Sequence, residues 1–243
     1  MQKILIIGSN SKIAVECCKI WAKKKYELFL ISRDIKKMKE NSKIFYKLGA
    51  TKVRFKKIKF DKNENYIKNI ENNFIRIKNL NLVLISFGEL LNEKQINRWY
   101  QIEKNIYLNG LETCRLIYLI NKIFKKKNNP GTIAVITSVA GEIIKKSNFI
   151  YGLGKSLVSN FITGINFQNK DSNIRIIDIK PGYIITPMTS RFKKNFLWTK
   201  SISAAKIIVN QLDKKNEVIY VPNFWKYIMA FLKLLPKKIN KHL

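Results

Sequence analysis

The stretch KILIIGSNSKIA, Lys3 to Ala14, sets the architecture. A short run of leucine and isoleucine ends at Gly8, and a segment of helical spacing begins at Lys12. Apolar residues without polar alternation are the pattern of a strand buried on both faces. A glycine at its end lets the backbone turn sharply and aims the next helix N-terminus at an anion. A fully glycine-rich turn would carry two more glycines, where this chain has Lys12 and Ala14. Ala14 is small enough for close helix–strand packing, and Lys12 is placed to neutralise phosphate. By itself the turn serves an ordinary strand–helix connection equally well.

Outward from that stretch the pattern repeats. Runs rich in Ile, Val and Phe at 27–31, 52–58, 81–85, 132–136, 174–179 and 217–221 read as further strands. Helical spacing covers roughly 12–24, 34–48, 63–78, 93–126, 151–168 and 201–213. Strands alternating with helices build βαβ units, hence a parallel sheet. Right-handed crossovers then give an α/β, Rossmann-like, doubly wound sheet with helices on both faces. There is no internal repeat and no Pro/Gly/Ser-rich linker. The expectation is one dinucleotide-binding reductase domain over 1–222, followed by a C-terminal amphipathic helix and basic tail over 223–243.

The 243 residues are ample for a substantial core. The net charge of +31, from 47 basic and 16 acidic residues, would attract nucleic acid or an anionic membrane. Lys, Asn and Ile are all inflated along the whole chain, which fits AT-rich coding better than a dedicated basic tract, and no specific nucleic acid is expected. Cys17, Cys18 and Cys114 offer neither a disulfide framework nor metal-ligand spacing, so no metal is expected and the thiols read as reduced core residues in a cytosolic setting. The sole histidine, His242, lies next to the end, which excludes a Ser-His-Asp triad and a His-based zinc site. The N-terminus lacks a signal-peptide pattern, and no apolar stretch is long enough to span a bilayer.

Ligands of such sheets bind at the carboxyl ends of the strands. At the first turn the candidates are Gly8, Asn10, Ser11, Lys12 and Ile13. The second strand ends in ISRD, where Ser32 and Arg33 come before Asp34. An arginine there suits the 2′-phosphate of NADP, so NADP(H) is expected over NAD(H). Asp61 is placed to meet the adenine ring. Phe87 and Gly88, in ISFG, let the chain pass close to the cofactor.

At the reacting end, Ser138 follows the 132–136 strand, and Tyr151 and Lys155 share one helix face. A nearby ammonium favours the phenolate and is expected to draw the tyrosine toward neutrality. The phenol then exchanges a proton with a carbonyl or alcohol, and Ser138 holds the same oxygen. This constellation resembles the short-chain dehydrogenase/reductase family over essentially the whole chain. The resemblance implies Ser138, Tyr151 and Lys155 as catalytic residues, with Asn105, in IEKNIY, as a fourth that supports a water relay to the lysine. It implies that Tyr151 and Lys155 also contact the nicotinamide ribose. It places Pro181, Gly182, Ile184 and Thr186, in PGYIITPM, beside the nicotinamide. Family members form dimers or tetramers, here through helices around 100–125 and 151–168.

GSNSKIA, SVAGEIIKKSNFIYGLGK, KPGYIITPMT and YVPNFWKYIMAFLKLLP resemble a bacterial subgroup of that family. It includes decaprenylphospho-β-D-erythro-pentofuranosid-2-ulose 2-reductase, which reduces a lipid-linked keto-pentose. The implied substrate is a small or lipid-linked carbonyl, and Glu142-Ile143-Ile144 depart from the subgroup's pattern beside it. The tail NFWKYIMAFLKLL reads either as a helix in the membrane interface or as one packed over the pocket or another subunit. The expected location is cytoplasmic, with peripheral contact at the inner face of the membrane through 223–243. The alternatives are a reductase of a lipid or polyketide ketone, and a non-catalytic membrane or nucleic-acid binder on a reductase scaffold.

Overall fold

The computed structural model describes residues 2–58, 77, 79–91, 96–127 and 130–236. Seven strands form one parallel sheet: β1 (Lys3–Ile7), β2 (Glu27–Ser32), β3 (Lys52–Lys57), β4 (Leu80–Ile85), β5 (Gly131–Ile136), β6 (Ile174–Pro181) and β9 (Val218–Val221). Their order is β3-β2-β1-β4-β5-β6-β9. The direction of winding reverses between β1 and β4, which opens a crevice at their carboxyl ends. Two short strands, β7 (Ile184–Ile185) and β8 (Thr199–Lys200), pair beside it.

The register explains the alignment of the strand ends. Ile7 lies opposite both Ile31 of β2 and Ile85 of β4, so three strands stop at one level. Side chains then alternate between two cores. Ile4, Ile6, Leu28, Leu30, Leu84, Ala134 and Ile177 face one layer, filled by α1 (Lys12–Lys23), α2 (Ile35–Lys47) and α6 (Ser201–Leu212). Leu5, Ile7, Val83, Ile85, Ile133, Val135 and Ile176 face the other. That layer is filled by α4 (Glu112–Lys126) and α5 (Phe149–Gln168). The edge strand β3 buries only Val53, and its lysines and arginine blunt an edge that would otherwise template further pairing.

The expected strands and helices lie where the spacing puts them, with two differences. The helix expected over 63–78 falls outside the described residues. The long helix expected over 93–126 is built as α3 (Trp99–Ile106), a π-turn (Tyr107–Leu111) and α4. Such a turn inserts one residue into the helical ladder and shifts the faces beyond it. The last described helix is α7 (Trp225–Leu234). Cys17, Cys18 and Cys114 are buried free thiols, and burial raises the pKa of each. Among the described residues no helix is long and apolar enough to cross a membrane, and no cluster of His, Cys, Asp and Glu could hold a metal.

Candidate active site

A cavity of about 740 Å³ runs along the carboxyl edge of the sheet. At the β1 turn it is lined by Gly8, Asn10, Ser11, Lys12 and Ile13. Gly8 sits at φ +82°, and a β-carbon there would lie 2.4 Å from the Ser86 carbonyl oxygen, so glycine is required at this turn. Ser11 caps α1 by accepting from the Ala14 N–H at 3.2 Å, and its hydroxyl meets that of Ser86 at 2.6 Å. Lys12 reaches the cavity, but its ammonium pairs with Glu16 at 2.7 Å, one turn along the helix. Its expected phosphate charge is therefore already shared with a carboxylate.

At the end of β2 the wall consists of Ser32, Arg33 and Lys37. The neighbouring Asp34 caps α2, its carboxylate accepting from the Lys37 N–H at 3.0 Å. The Asn10 side chain donates to the Asp34 carbonyl at 2.9 Å and ties the two turns together. Two cations thus line this end of the cavity, and the acid that could accept from ribose hydroxyls is already engaged. Lys37 was not among the expected residues, although its four-residue spacing from Arg33 could have shown it. Asp61, expected at the adenine, lies outside the described residues.

The reacting end gathers Phe87, Gly88, Ser138, Tyr151, Lys155, Pro181, Gly182, Ile184 and Thr186 on one wall. Ser138 leaves β5 in an extended conformation and caps the short turn Val139–Gly141, accepting from the Ala140 N–H at 3.1 Å. Lys155 is buried on α5, where it donates to the carbonyls of Ile136 at 3.1 Å and Phe87 at 3.3 Å. Its ammonium stands 5.6 Å from the centroid of the Tyr151 ring.

The expectation that Lys155 draws the phenol toward neutrality is not met. Burial pushes Tyr151 up to about 12, against the opposing pull of a hydrogen bond with Ser138. Burial likewise pulls Lys155 down to about 8, which the Asp178 carboxylate partly resists. Desolvation penalises both charged forms and is the largest cause of each shift. At neutral pH the tyrosine is a proton-bearing acid, and the lysine is poised to change charge just above it.

Asn105 is buried but does not line the cavity; it donates to the Glu89 carbonyl at 2.9 Å. Sequence reading missed its neighbour Asn109, also fully buried. Asn109 clasps Glu89 from both sides, accepting from its N–H at 3.0 Å and donating to its carbonyl at 2.8 Å. It also donates to the Asn105 side chain at 2.8 Å. A β-carbon on Gly88 would fall 2.8 Å from Asn109 Oδ1 and 3.5 Å from Lys155 Nζ. Asn109 and Lys155 therefore both border the Gly88 turn. The π-turn across Tyr107–Leu111 surrounds Asn109, and nothing in the local spacing discloses that turn.

Behind this wall lies a buried ionic cluster that the sequence did not suggest. Glu142 pairs with Lys180 at 2.6 Å and Lys233 at 2.7 Å, and accepts from the Tyr220 hydroxyl at 2.7 Å. Burial works to raise the Glu142 pKa, but these contacts hold it below the usual carboxylate range. Lys180 also meets Asp178 at 3.4 Å, and Thr137, next to Ser138, donates to Asp178. The tail helix is tied in through Lys233 and through Trp225, whose ring lies where a side chain on Gly182 would stand. Of the two tail readings, packing against the body is the one these contacts describe.

A seven-stranded parallel sheet with Ser138, Tyr151 and Lys155 lining a cavity at the carboxyl ends of its strands is a doubly wound α/β scaffold of the kind that binds dinucleotides. The chain belongs to the short chain dehydrogenase family, whose model matches residues 2–196. An uncharacterised oxidoreductase of Streptomyces coelicolor is 27% identical over 113 residues, 46% of this chain and 45% of that one. A D-arabinitol 2-dehydrogenase (ribulose-forming) of Scheffersomyces stipitis is 24% identical over 119 residues, 48% of this chain and 43% of its own. The chain thus spans less than half the length of either relative. In fold it is similar to a short-chain dehydrogenase from Sphingobium yanoikuyae in complex with NADPH, with TM-score 0.81, 18% identity and 97% of each chain covered.

Proposed function

We propose that this protein is an NADP(H)-dependent reductase that converts a ketone to an alcohol, with a keto-sugar or lipid-linked glycan precursor as substrate. The observation that carries the reading is one continuous cavity with Arg33 and Lys37 at one end and Ser138, Tyr151 and Lys155 at the other. Residues 1–222 would form the dinucleotide-binding unit. Arg33 and Lys37 suit a 2′-phosphate, and the α1 N-terminus suits the pyrophosphate. Bound nicotinamide supplies hydride to the carbonyl carbon. Tyr151, held protonated by its surroundings, donates the proton to the carbonyl oxygen. Ser138 donates a hydrogen bond to the same oxygen as charge grows on it. Lys155 restores the proton on Tyr151 from solvent, with Asn109 positioning the Gly88–Glu89 turn against it.

The sugar preference draws support from the relative named for arabinitol and ribulose. A second reading, a ketone on a lipid or polyketide, is favoured by Leu108, Tyr100 and Met188 in the cavity wall. The exposed side chains of Leu111, Tyr118, Leu153 and Phe167 suit a dimer or tetramer built through α4 and α5. The protein would work in the cytoplasm at the inner face of the membrane, where a lipid-linked carbonyl is presented.

The test is oxidation of NADPH against a panel of keto-sugars and apolar ketones. Tyr151→Phe should lower turnover by about 10²–10⁴-fold, the contribution of a positioned acid, while NADPH still binds. A variant that retained full turnover would refute the mechanism.

A further inference from the structure

Helix α7 is apolar on two sides. Toward the body, Trp225 and Met229 are buried, and Ile228 and Leu232 partly so, against Val139, Ile143 and Tyr183. Away from the body, Phe224, Tyr227, Phe231 and Leu234 are 40%, 73%, 62% and 83% exposed. Their spacings of three, four and three residues align them in one helical stripe. A helix packed on a globular body normally turns polar residues to water on that side. Three large apolar side chains in line on one ten-residue helix, with a fourth at its N-cap, need a partner.

The charge chooses among occupants. Lys226 is exposed on the same helix, and the sequence continues after Pro236 as KKINKHL, with three further lysines. Within that segment the lysines outnumber the apolar residues, Ile239 and Leu243. A second copy could cover the stripe but would bring no anionic surface to the lysines of the helix and of the sequence after it. An anionic bilayer answers both features, since acyl chains receive the stripe and headgroups meet the lysines. We propose that α7 docks on an anionic phospholipid surface, with Tyr227, Phe231 and Leu234 inserted at the headgroup–acyl boundary.

The helix that docks is also fixed to the cavity rim. Trp225 presses on Gly182 of the lining, and Lys233 pairs with Glu142 in the segment after Ser138. Docking therefore brings that rim to the bilayer. Its use, presentation of a lipid-borne carbonyl to Tyr151, rests on the proposed reductase reading; the docking itself does not.

The test is co-sedimentation of the full chain with phosphatidylcholine vesicles and with vesicles of two parts phosphatidylcholine to one part phosphatidylglycerol. The parent chain should bind the anionic vesicles, and bind them less tightly as salt rises. Phe231→Asp combined with Leu234→Asp should weaken that binding by at least about tenfold. Ile44→Asp, the same charge change at a 41% exposed site on α2, should bind as the parent does. The milder Tyr227→Ser should also weaken binding, which guards against a double variant that misfolds. Absence of binding to anionic vesicles would overturn the proposal. So would equal binding by the parent and the stripe variants, which would mean attraction through general charge alone. Loss of a dimer in light scattering on Tyr227→Ser, with vesicle binding unchanged, would give the stripe to a second copy instead. None of these readouts needs catalysis, so a reductase that fails the vesicle test, or a vesicle binder that reduces nothing, is told apart.

Discussion

Lys155 is the residue on which the pH behaviour turns. Its pKa, pulled down to about 8 by burial, is held up in part by Asp178. As pH rises through about 8 the ammonium loses its proton and can no longer restore Tyr151, so the rate of carbonyl reduction should fall. Asp178→Asn removes the carboxylate that favours the charged lysine and keeps an acceptor for Thr137, so the falling limb should move to lower pH. A pH–rate profile of both proteins checks the sign. At the same scale, Asn109→Ala strips the Glu89 N–H of a buried acceptor and should cost about 1–3 kcal/mol in urea denaturation. Asn105→Ala leaves the Asn109–Glu89 clasp in place and should cost less, with the smaller loss of turnover. The roles of the two asparagines were separable only in three dimensions: four apart and bonded to each other, both donate to the Glu89 carbonyl, but Asn109, within the π-turn, also accepts from the Glu89 N–H.

Among elements, the segment after β5, strands β6 and β9, and α7 meet at Glu142. Its oxygens hold Lys180, Tyr220 and Lys233, and it is almost inaccessible to water. Glu142→Gln leaves buried Lys180 with a weaker partner and should destabilise the protein by about 3 kcal/mol in chemical denaturation. Lys233→Met removes a half-exposed ammonium, for which water substitutes, and should cost at most about 1 kcal/mol. A reversed ranking would mean that the tail, not β6, depends on this carboxylate. Local sequence hides the cluster because Glu142 and Lys233 are ninety-one positions apart. The strands themselves were legible: a parallel strand buried on both faces needs an unbroken apolar run, and 3–7, 81–85 and 132–136 show it without tertiary help.

For the whole molecule, cofactor binding and stability are linked. NADPH at a hundred times its dissociation constant should raise the melting temperature by roughly 5–10 °C, and NADH should raise it less. Arg33→Ala should reduce that difference, because one of the two cations lining the β2 end of the cavity would be gone. Thermal unfolding with each nucleotide measures both.

Hydrophobic periodicity determined the sheet, its parallel strands and the edge where chemistry gathers, since burial on both faces constrains each strand locally. Within that frame the turn glycine marked Gly8, and the Tyr-x-x-x-Lys spacing after Ser138, with the family resemblance it carries, singled out Ser138, Tyr151 and Lys155. The state of those groups was decided only by the folded molecule. Desolvation raises Tyr151 and lowers Lys155, and Asn109 joins Asn105 on the Glu89 carbonyl. These are properties of what surrounds a side chain, and most of what surrounds each of them comes from distant parts of the chain.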